Sequence, residues 1–383
     1  MESKILFVAL CLTLLVSCHS PHLSGTEANQ RNTAAITFHD GTGRLQRMGD
    51  RPALDSPAVT LQCVDSKFCW INSPRIIWRS VDDGRTWKEV YGAKDDEEIT
   101  ACKFVQAENG WLITYDRLFV TDNGGLTWAE VESPFRYPNG QIRSLWLLDQ
   151  TTGWLAGGVY RAQTALETRS GVPPNTKDSS GTRVLEETIY MTTDGGDSWR
   201  AQSLPKKIGR IMQLRFHDRR RGLALGERAI YYTGNSGESW HEVIFNKQCV
   251  DKEYLGEYYE GRPATSAMVD DRTWFVAYDD GRIVKTGDGG RNWCDLIGPG
   301  TVQFESEAGS PTYFEQLHLE NPPHGWGLGS DRFLYETKDG GTQWSRVTSE
   351  LRFDSMAFPG DQVGILVSDT GIFKLQSINH NAP

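Results

Sequence analysis

Residues 286–293 read Thr-Gly-Asp-Gly-Gly-Arg-Asn-Trp, and the pattern returns five more times as SVDDGRTW (80–87), TDNGGLTW (121–128), TTDGGDSW (192–199), TGNSGESW (233–240) and TKDGGTQW (337–344). Ser or Thr stands seven positions before the tryptophan, Asp or Asn five before, and Gly three before. Three constrained positions around six tryptophans mark one structural unit used repeatedly. The residue types are those of a turn. Asp82, Asn123, Asp194, Asn235, Asp288 and Asp339 supply side-chain acceptors for backbone N–H groups one to three residues on. The glycine takes a positive φ that a Cβ would penalise. Trp87, Trp128, Trp199, Trp240, Trp293 and Trp344 then open a strand and carry a large ring to bury between sheets.

A second element precedes each box. It is Trp70 (FCWIN), Trp111 (NGWLIT), Trp154 (TGWLAG), Leu223 (RGLALG), Trp274 (RTWFVA), Trp326 (HGWGLG) and, without a box after it, Ile365 (VGILVS). It lies 17–19 residues before the box tryptophan in five units and 45 before it in the third, which therefore carries an insertion, placed at 158–187. Apolar runs such as IRSLWLLD (142–149) and IMQLRFHD (211–218) stand upstream. Each unit reads strand, turn, strand, turn, strand, box, strand. Seven such units predict an all-β fold, a seven-bladed β-propeller of four-stranded antiparallel blades. Eleven of the 13 tryptophans mark blade positions, leaving Trp78 and Trp146. The seventh unit lacks an outer strand, and an open edge is a liability. Ile36–Met48 is expected to fill it and close the ring.

The chain has 383 residues with a formal net charge of −10, from 50 acidic against 40 basic side chains. That balance argues against nucleic acid as a partner. Ile5–Val16 is a twelve-residue apolar run behind Lys4, too short to span a bilayer but suited to a signal peptide. It ends Leu-Val-Ser-Cys, which resembles a bacterial lipobox. The expected organisation is a leader at 1–17, a lipidated Cys18 that begins a polar tether to residue 35, one propeller over 36–378 and a tail at 379–383. The expected location is the bacterial cell envelope, with the membrane reached through that lipid alone.

Export permits disulfides. Cys63 and Cys69 flank a short turn and are one candidate pair, Cys249 and Cys294 the next, leaving Cys102 as a free, buried thiol. The eight histidines are scattered and no Cys-x-x-Cys or His-Glu-x-x-His occurs, so no metal and no cofactor is expected.

In a propeller blade, the turn after the first strand and the box, which follows the third, share one face. The turn after the second strand and the blade-to-blade links share the other. The boxes read as structural, and binding variation is expected on the link face. There the second-strand turns carry Arg75, Arg117, Arg228, Arg282 and Arg332. As a partial ring they would form a cationic collar for carboxylates, to which Arg143, Arg210 and Arg215 could add. The plainer reading pairs each with a neighbouring acid (Asp116, Glu227, Asp280, Asp331) on a solvated rim, where such pairs contribute about 0–1 kcal/mol.

The boxes match the Asp-box, or BNR, motif. With the Gly-Trp strands and the lipobox, the chain resembles the photosystem II assembly and stability factor family and its relatives in non-photosynthetic bacteria, over roughly residues 59–377. The resemblance implies a non-catalytic scaffold with an arginine-bearing face for a protein partner. Sialidases carry similar boxes and would imply an exo-glycosidase acting on a glycan. The chain lacks the Phe/Tyr-Arg-Ile-Pro motif that opens such domains, and Tyr258 or Tyr259, beside Glu257 and Glu260, is the sole tempting nucleophile pair.

Overall fold

In the computed structural model the described residues are 35–37, 43–54, 56, 60–94, 97–115, 117–135, 140–162, 182–205, 209–227, 229–245, 261–297, 313–319, 323–348, 350–360 and 363–377. The leader, Cys18, most of the tether, the insertion between 163 and 181, Asp116, Arg228, Cys249, Tyr258, Tyr259 and the tail lie outside them.

The described residues form seven antiparallel sheets with no helix, six of four strands and one of five, arranged as a seven-bladed β-propeller. The first blade runs Thr60–Cys63, Cys69–Asn72, Ile76–Ser80 and Lys88–Gly92. The inner strands of the next six are Ala101–Phe104, Gly140–Leu147, Ile211–Phe216, Pro263–Met268, Phe314–Leu319 and Phe353–Gly360, and successive inner strands pack around one axis. The N-terminal stretch does close the ring, as two strands rather than one. Gly43–Gly49 pairs with Gly371–Ser377 as the fourth strand of the last blade, and Ala35–Thr37 adds a fifth.

The second strands are apolar on both faces because each face of a blade meets a neighbouring blade. Gly222–Gly226 and Trp274–Tyr278 are buried at every position. The Gly-Trp element works across that seam. Trp154 stacks on Phe216 of the following blade at 3.7 Å and 10°, as Trp70 stacks on Phe104 at 3.8 Å and 8°. The glycine that begins the element makes room for the inner-strand ring, since a Cβ at Gly222 would stand 2.5 Å from Phe216.

The box turn is built as its residues dictate, with one difference. The Ser/Thr hydroxyl donates to the Asp/Asn Oδ1 at 2.7–3.0 Å and accepts the N–H of the glycine four residues on at 2.9–3.1 Å. The Oδ1 accepts the N–H four residues on, at 2.9–3.0 Å in all six, one position beyond the expected reach. The longer span exists because two residues, not one, take positive φ. The position before the constrained glycine is Gly in four boxes but Asp83 (φ 63°) and Ser236 (φ 66°) in the other two. Left-handed backbone costs a residue with a Cβ about 1–2 kcal/mol, partly offset by the freedom glycine loses on folding. Ser236→Gly is therefore expected to stabilise the protein by about 0.5–1 kcal/mol. Gly290→Ala should do the opposite and cost about 3 kcal/mol, because φ is 92° and the new Cβ would lie 2.7 Å from the buried Trp274. Equilibrium denaturation of the two variants checks both signs.

Neighbouring inner strands are also latched by side chains. Ser144 accepts the N–H of Leu214, Gln316 that of Met356, and Ser355 that of Leu61, at 2.8–2.9 Å. Cys63 and Cys69, cross-strand partners in a hairpin, form a disulfide as expected. Cys294 is disulfide-bonded, and its expected partner lies outside the described residues. Cys102 is free but only part-buried; desolvation still drives its pKa upward.

Candidate functional site: the two ends of the channel

Backbone hydrogen bonds assign the two faces. The N–H before the constrained glycine of each box donates to the first-strand turn of its own blade, as in Gly124 to Glu108 O at 2.7 Å and Ser236 to Arg220 O at 2.8 Å. These define the box face. On the opposite, link face, second-strand turns bond the links, as in Glu227 N–H to Arg210 O at 3.0 Å and Phe353 N–H to Arg332 O at 2.7 Å.

The four described arginines of the second-strand turns do not gather into a collar. Arg117 turns outward along its blade. Its guanidinium forms a two-pronged pair with Glu130 of the outermost strand at 3.0 and 2.6 Å, bonds Glu97, and lies 4.7 Å from the centre of the Phe119 ring. Hydrogen bonding to Arg117 holds the Glu130 carboxyl below its usual range. Arg75 donates to the Lys94 carbonyl at 3.1 Å, also toward the rim. Arg282 is only 1% exposed, packed 3.9 Å from the Tyr278 ring centre, so it faces protein rather than a ligand. Arg332 alone reaches the mouth. It pairs with Asp354 on the last blade's inner strand, which also takes Arg51 at 3.2 Å. The expected pairing of Arg332 with Asp331 gives way because that carboxylate accepts the Tyr335 hydroxyl at 2.6 Å and the Phe333 N–H at 3.1 Å. Arg282 does keep its expected acid, Asp280, at 3.9 Å, whereas Arg75, Arg117 and Arg332 find partners on the outer side of the blade or on the next one.

The third and fourth blades bring other groups to the link-face mouth. Glu187, 4% exposed, pairs with Arg143 and accepts the Ile211 N–H at 2.8 Å. Burial pushes it up to about 7 despite Arg143. Arg143 Nε in turn donates to the Ile211 carbonyl at 3.1 Å. Next to Ile211 in the chain, Met212 is 50% exposed. Tyr115, at the second-strand turn of the second blade, is 53% exposed, and its hydroxyl takes a hydrogen bond from Gln141. Tyr115, Gln141, Arg143 and Met212 thus form a connected strip over three blades. Its signal in sequence was faint: two large side chains, Tyr115 and Met212, at positions where other blades carry polar or smaller ones such as Glu227, Ser330, Pro74 and Ala264.

Arg215 belongs elsewhere. It sits three residues before a first-strand turn, opposite Leu223, and so lies toward the box face, not at the link-face mouth. Lys103 and Trp146 stand at the same level, opposite Trp111 and Trp154. Among the described residues no group of three His, Cys, Asp or Glu could hold a metal ion, and no helix is long and apolar enough to cross a membrane.

A closed ring of seven four-stranded blades with short box turns on one face and variable links on the other defines the class: a seven-bladed β-propeller. No protein-family model and no curated protein sequence matches the chain. Among solved structures it is similar to a YCF48 bound to a D1 peptide, with a TM-score of 0.58 and 16% identity over 90% of this chain and 95% of that one. It is similar as well to YCF48 from Cyanidioschyzon merolae, with a TM-score of 0.55 and 14% identity over 85% of this chain and 97% of that one. A streptogramin B lyase aligns with a TM-score of 0.59 and 11% identity over 88% and 98% of the two chains. At these identities the likeness is one of fold.

Proposed function

We propose that the chain is a non-catalytic binding propeller, exported and lipid-anchored through Cys18 in the cell envelope, that holds a carboxylate-bearing segment of a protein partner on its link face. The observation that carries the reading is the exposure of Tyr115 and Met212 on the link face, beside the Glu187-paired Arg143. Amphipathic aromatics, Met and Arg are the residues enriched where proteins recognise one another. Arg75 and the half-exposed Arg117 extend the cationic character of that face outward. The boxes repeat with the same internal hydrogen bonds six times, as a structural device would. The similar YCF48 was captured with a peptide, which supports the idea that this scaffold suits peptide recognition. The Asp-box resemblance and the lipobox-like Leu-Val-Ser-Cys support the envelope assignment.

Face-resolved photo-crosslinking in the native envelope tests the proposal. A crosslinking residue at 115 or 212 should give a discrete adduct with one partner, while one at 81 or 126, exposed on the box face, should not. Adducts spread equally over both faces, or none at 115 and 212, sink the link-face reading. In the same preparation Cys18→Ala should move the chain from the membrane pellet to the soluble fraction. Turnover of a fluorogenic sialoside panel would replace the binding reading with the glycosidase one.

A further inference from the structure

The box-face end of the central channel holds two cations that no carboxylate among the described residues neutralises. Lys103 Nζ lies 5.2 Å from the centre of the Trp146 ring and the Arg215 guanidinium 5.5 Å from it. The three residues come from consecutive inner strands at one level. All are part-buried, so each keeps some access to the channel. Nearby carboxylates are engaged elsewhere: Asp149 holds Arg219 at 3.3 Å, and Asp218 holds Arg221 at 2.6 Å. Arg215 Nε and Trp146 Nε1 are sealed from solvent without an acceptor. The rest of this level is neutral or occupied. Gln62 bonds the Phe104 backbone in both directions, His318 stacks on Phe358 at 4.0 Å, and Met268 and Ala357 carry no charge.

This is a costly arrangement to keep. A shared indole offers each cation about 0.5–2 kcal/mol, less than the penalty for partly desolvating an unpaired ion. Both groups feel it. Burial brings Lys103 down to about 8, with repulsion from Arg215 adding to the shift, and burial brings Arg215 down to about 10. A stacked aliphatic pair would pack on Trp146 without that penalty. What two cations beside one part-buried indole do provide is a seat for an anion. Arg215 offers a planar donor fork, Lys103 a second charge, and Trp146 an apolar wall for the carbon next to the charged group.

We propose that Lys103, Trp146 and Arg215 form a carboxylate-binding site at the box-face end of the channel, filled by the C-terminal carboxylate of a peptide or by a free small carboxylate. One fixed charge and one adjustable charge suit a monoanion better than a phosphate dianion. The site does not rest on the partner reading above, which uses the opposite end of the channel.

The test uses the purified full-length chain at low ionic strength. The readouts are the Trp146 indole N–H resonance and titration calorimetry. The probes are sodium propionate, N-acetyl-Gly-Ala-Ala with a free C-terminus, the same peptide amidated, and inorganic phosphate. Propionate or the free-acid peptide should shift the Trp146 resonance, and the amidated peptide should not. Binding by both carboxylates indicates a small-molecule site; binding by the peptide alone indicates a chain terminus. Lys103→Met and Arg215→Gln should each weaken binding about tenfold or more. Both should raise the melting temperature, because each removes an unpaired buried cation. The proposal is overturned if no carboxylate perturbs Trp146, if phosphate binds more tightly than either carboxylate, or if both variants bind like the parent. The Trp146 resonance in the parent chain decides the matter even if a variant fails to fold.

Discussion

Deleting residues 36–48 is expected to leave a chain that is no longer a folded monomer. The strand Gly43–Gly49 completes the last blade from the chain's beginning, through six cross-strand residue pairs with Gly371–Ser377. Leu45 at its centre is fully buried in a cluster with Trp326, Leu366, Phe373 and Leu375. Met48 packs into the seam with the first blade. Arg44 and Arg47 tie the strand to Gln376 and to the Thr370 carbonyl at 2.9 and 3.0 Å. Burying one such Leu stabilises by about 1.5–3 kcal/mol, and the ladder and Met48 add to it. The loss therefore approaches the roughly 5–15 kcal/mol that holds a typical domain together. It also bares the Gly371–Ser377 edge, which can pair with another copy. Size-exclusion chromatography with light scattering should show association or aggregation, and circular dichroism a lost or much lowered transition. A monomer with the parent's melting temperature would mean that the ring closes without this strand.

Trp154→Ala should be the most damaging single truncation of a side chain. The ring is fully buried and lies flat on Phe216 of the next blade, which meets Trp240 edge-on at 5.8 Å. Phe216 can fill the gap only by giving up its own contacts with Trp240 and with the backbone at Gly222. A cavity that cannot collapse puts the cost at the upper end of the usual 3–5 kcal/mol for a large aromatic, with the stacked pair adding about 0.5–1.5 kcal/mol. Trp128→Ala makes the comparison, since that ring is only part-buried and stands at 66° to Phe104. It should cost clearly less. Denaturant midpoints for the two variants check the ranking, and equal losses would show that the seam is not where the Trp contribution lies.

Much of this architecture was legible because each repeated residue answers a local need. The Asp or Asn, the glycine and the Ser or Thr of the box satisfy one another within eight residues, so six turns could be read directly. The span of four residues is one longer than the turn chemistry alone implies. The sequence shows Asp83 and Ser236 at the extra left-handed position but nothing that announces their φ. The link-face site was much less legible. Arg75, Arg117, Arg282 and Arg332 recur at matching places in their blades, yet Glu130, Lys94, Tyr278 and Asp354 send them in four directions. Three of the four settle on partners that the neighbouring blade or the outer side of the blade supplies, and spacing carries no information about those; Arg282 alone keeps to its own hairpin, beside Tyr278 and Asp280.

By itself the sequence determined the blade count, the strand order within a blade, the box turns and the Cys63–Cys69 hairpin, all of which depend on residues close together in the chain. Only the tertiary structure decided which end of the channel each charge occupies. It placed both Arg215 and Lys103 against the Trp146 ring, residues far apart in the chain that meet at one level of the ring. It gave those two cations no carboxylate among the described residues while giving one to Arg143, Arg117 and Arg332. The reason is geometric: a turn closes on its own backbone, whereas the channel wall is assembled from one strand of every blade, and its electrostatics exist only once the ring has closed.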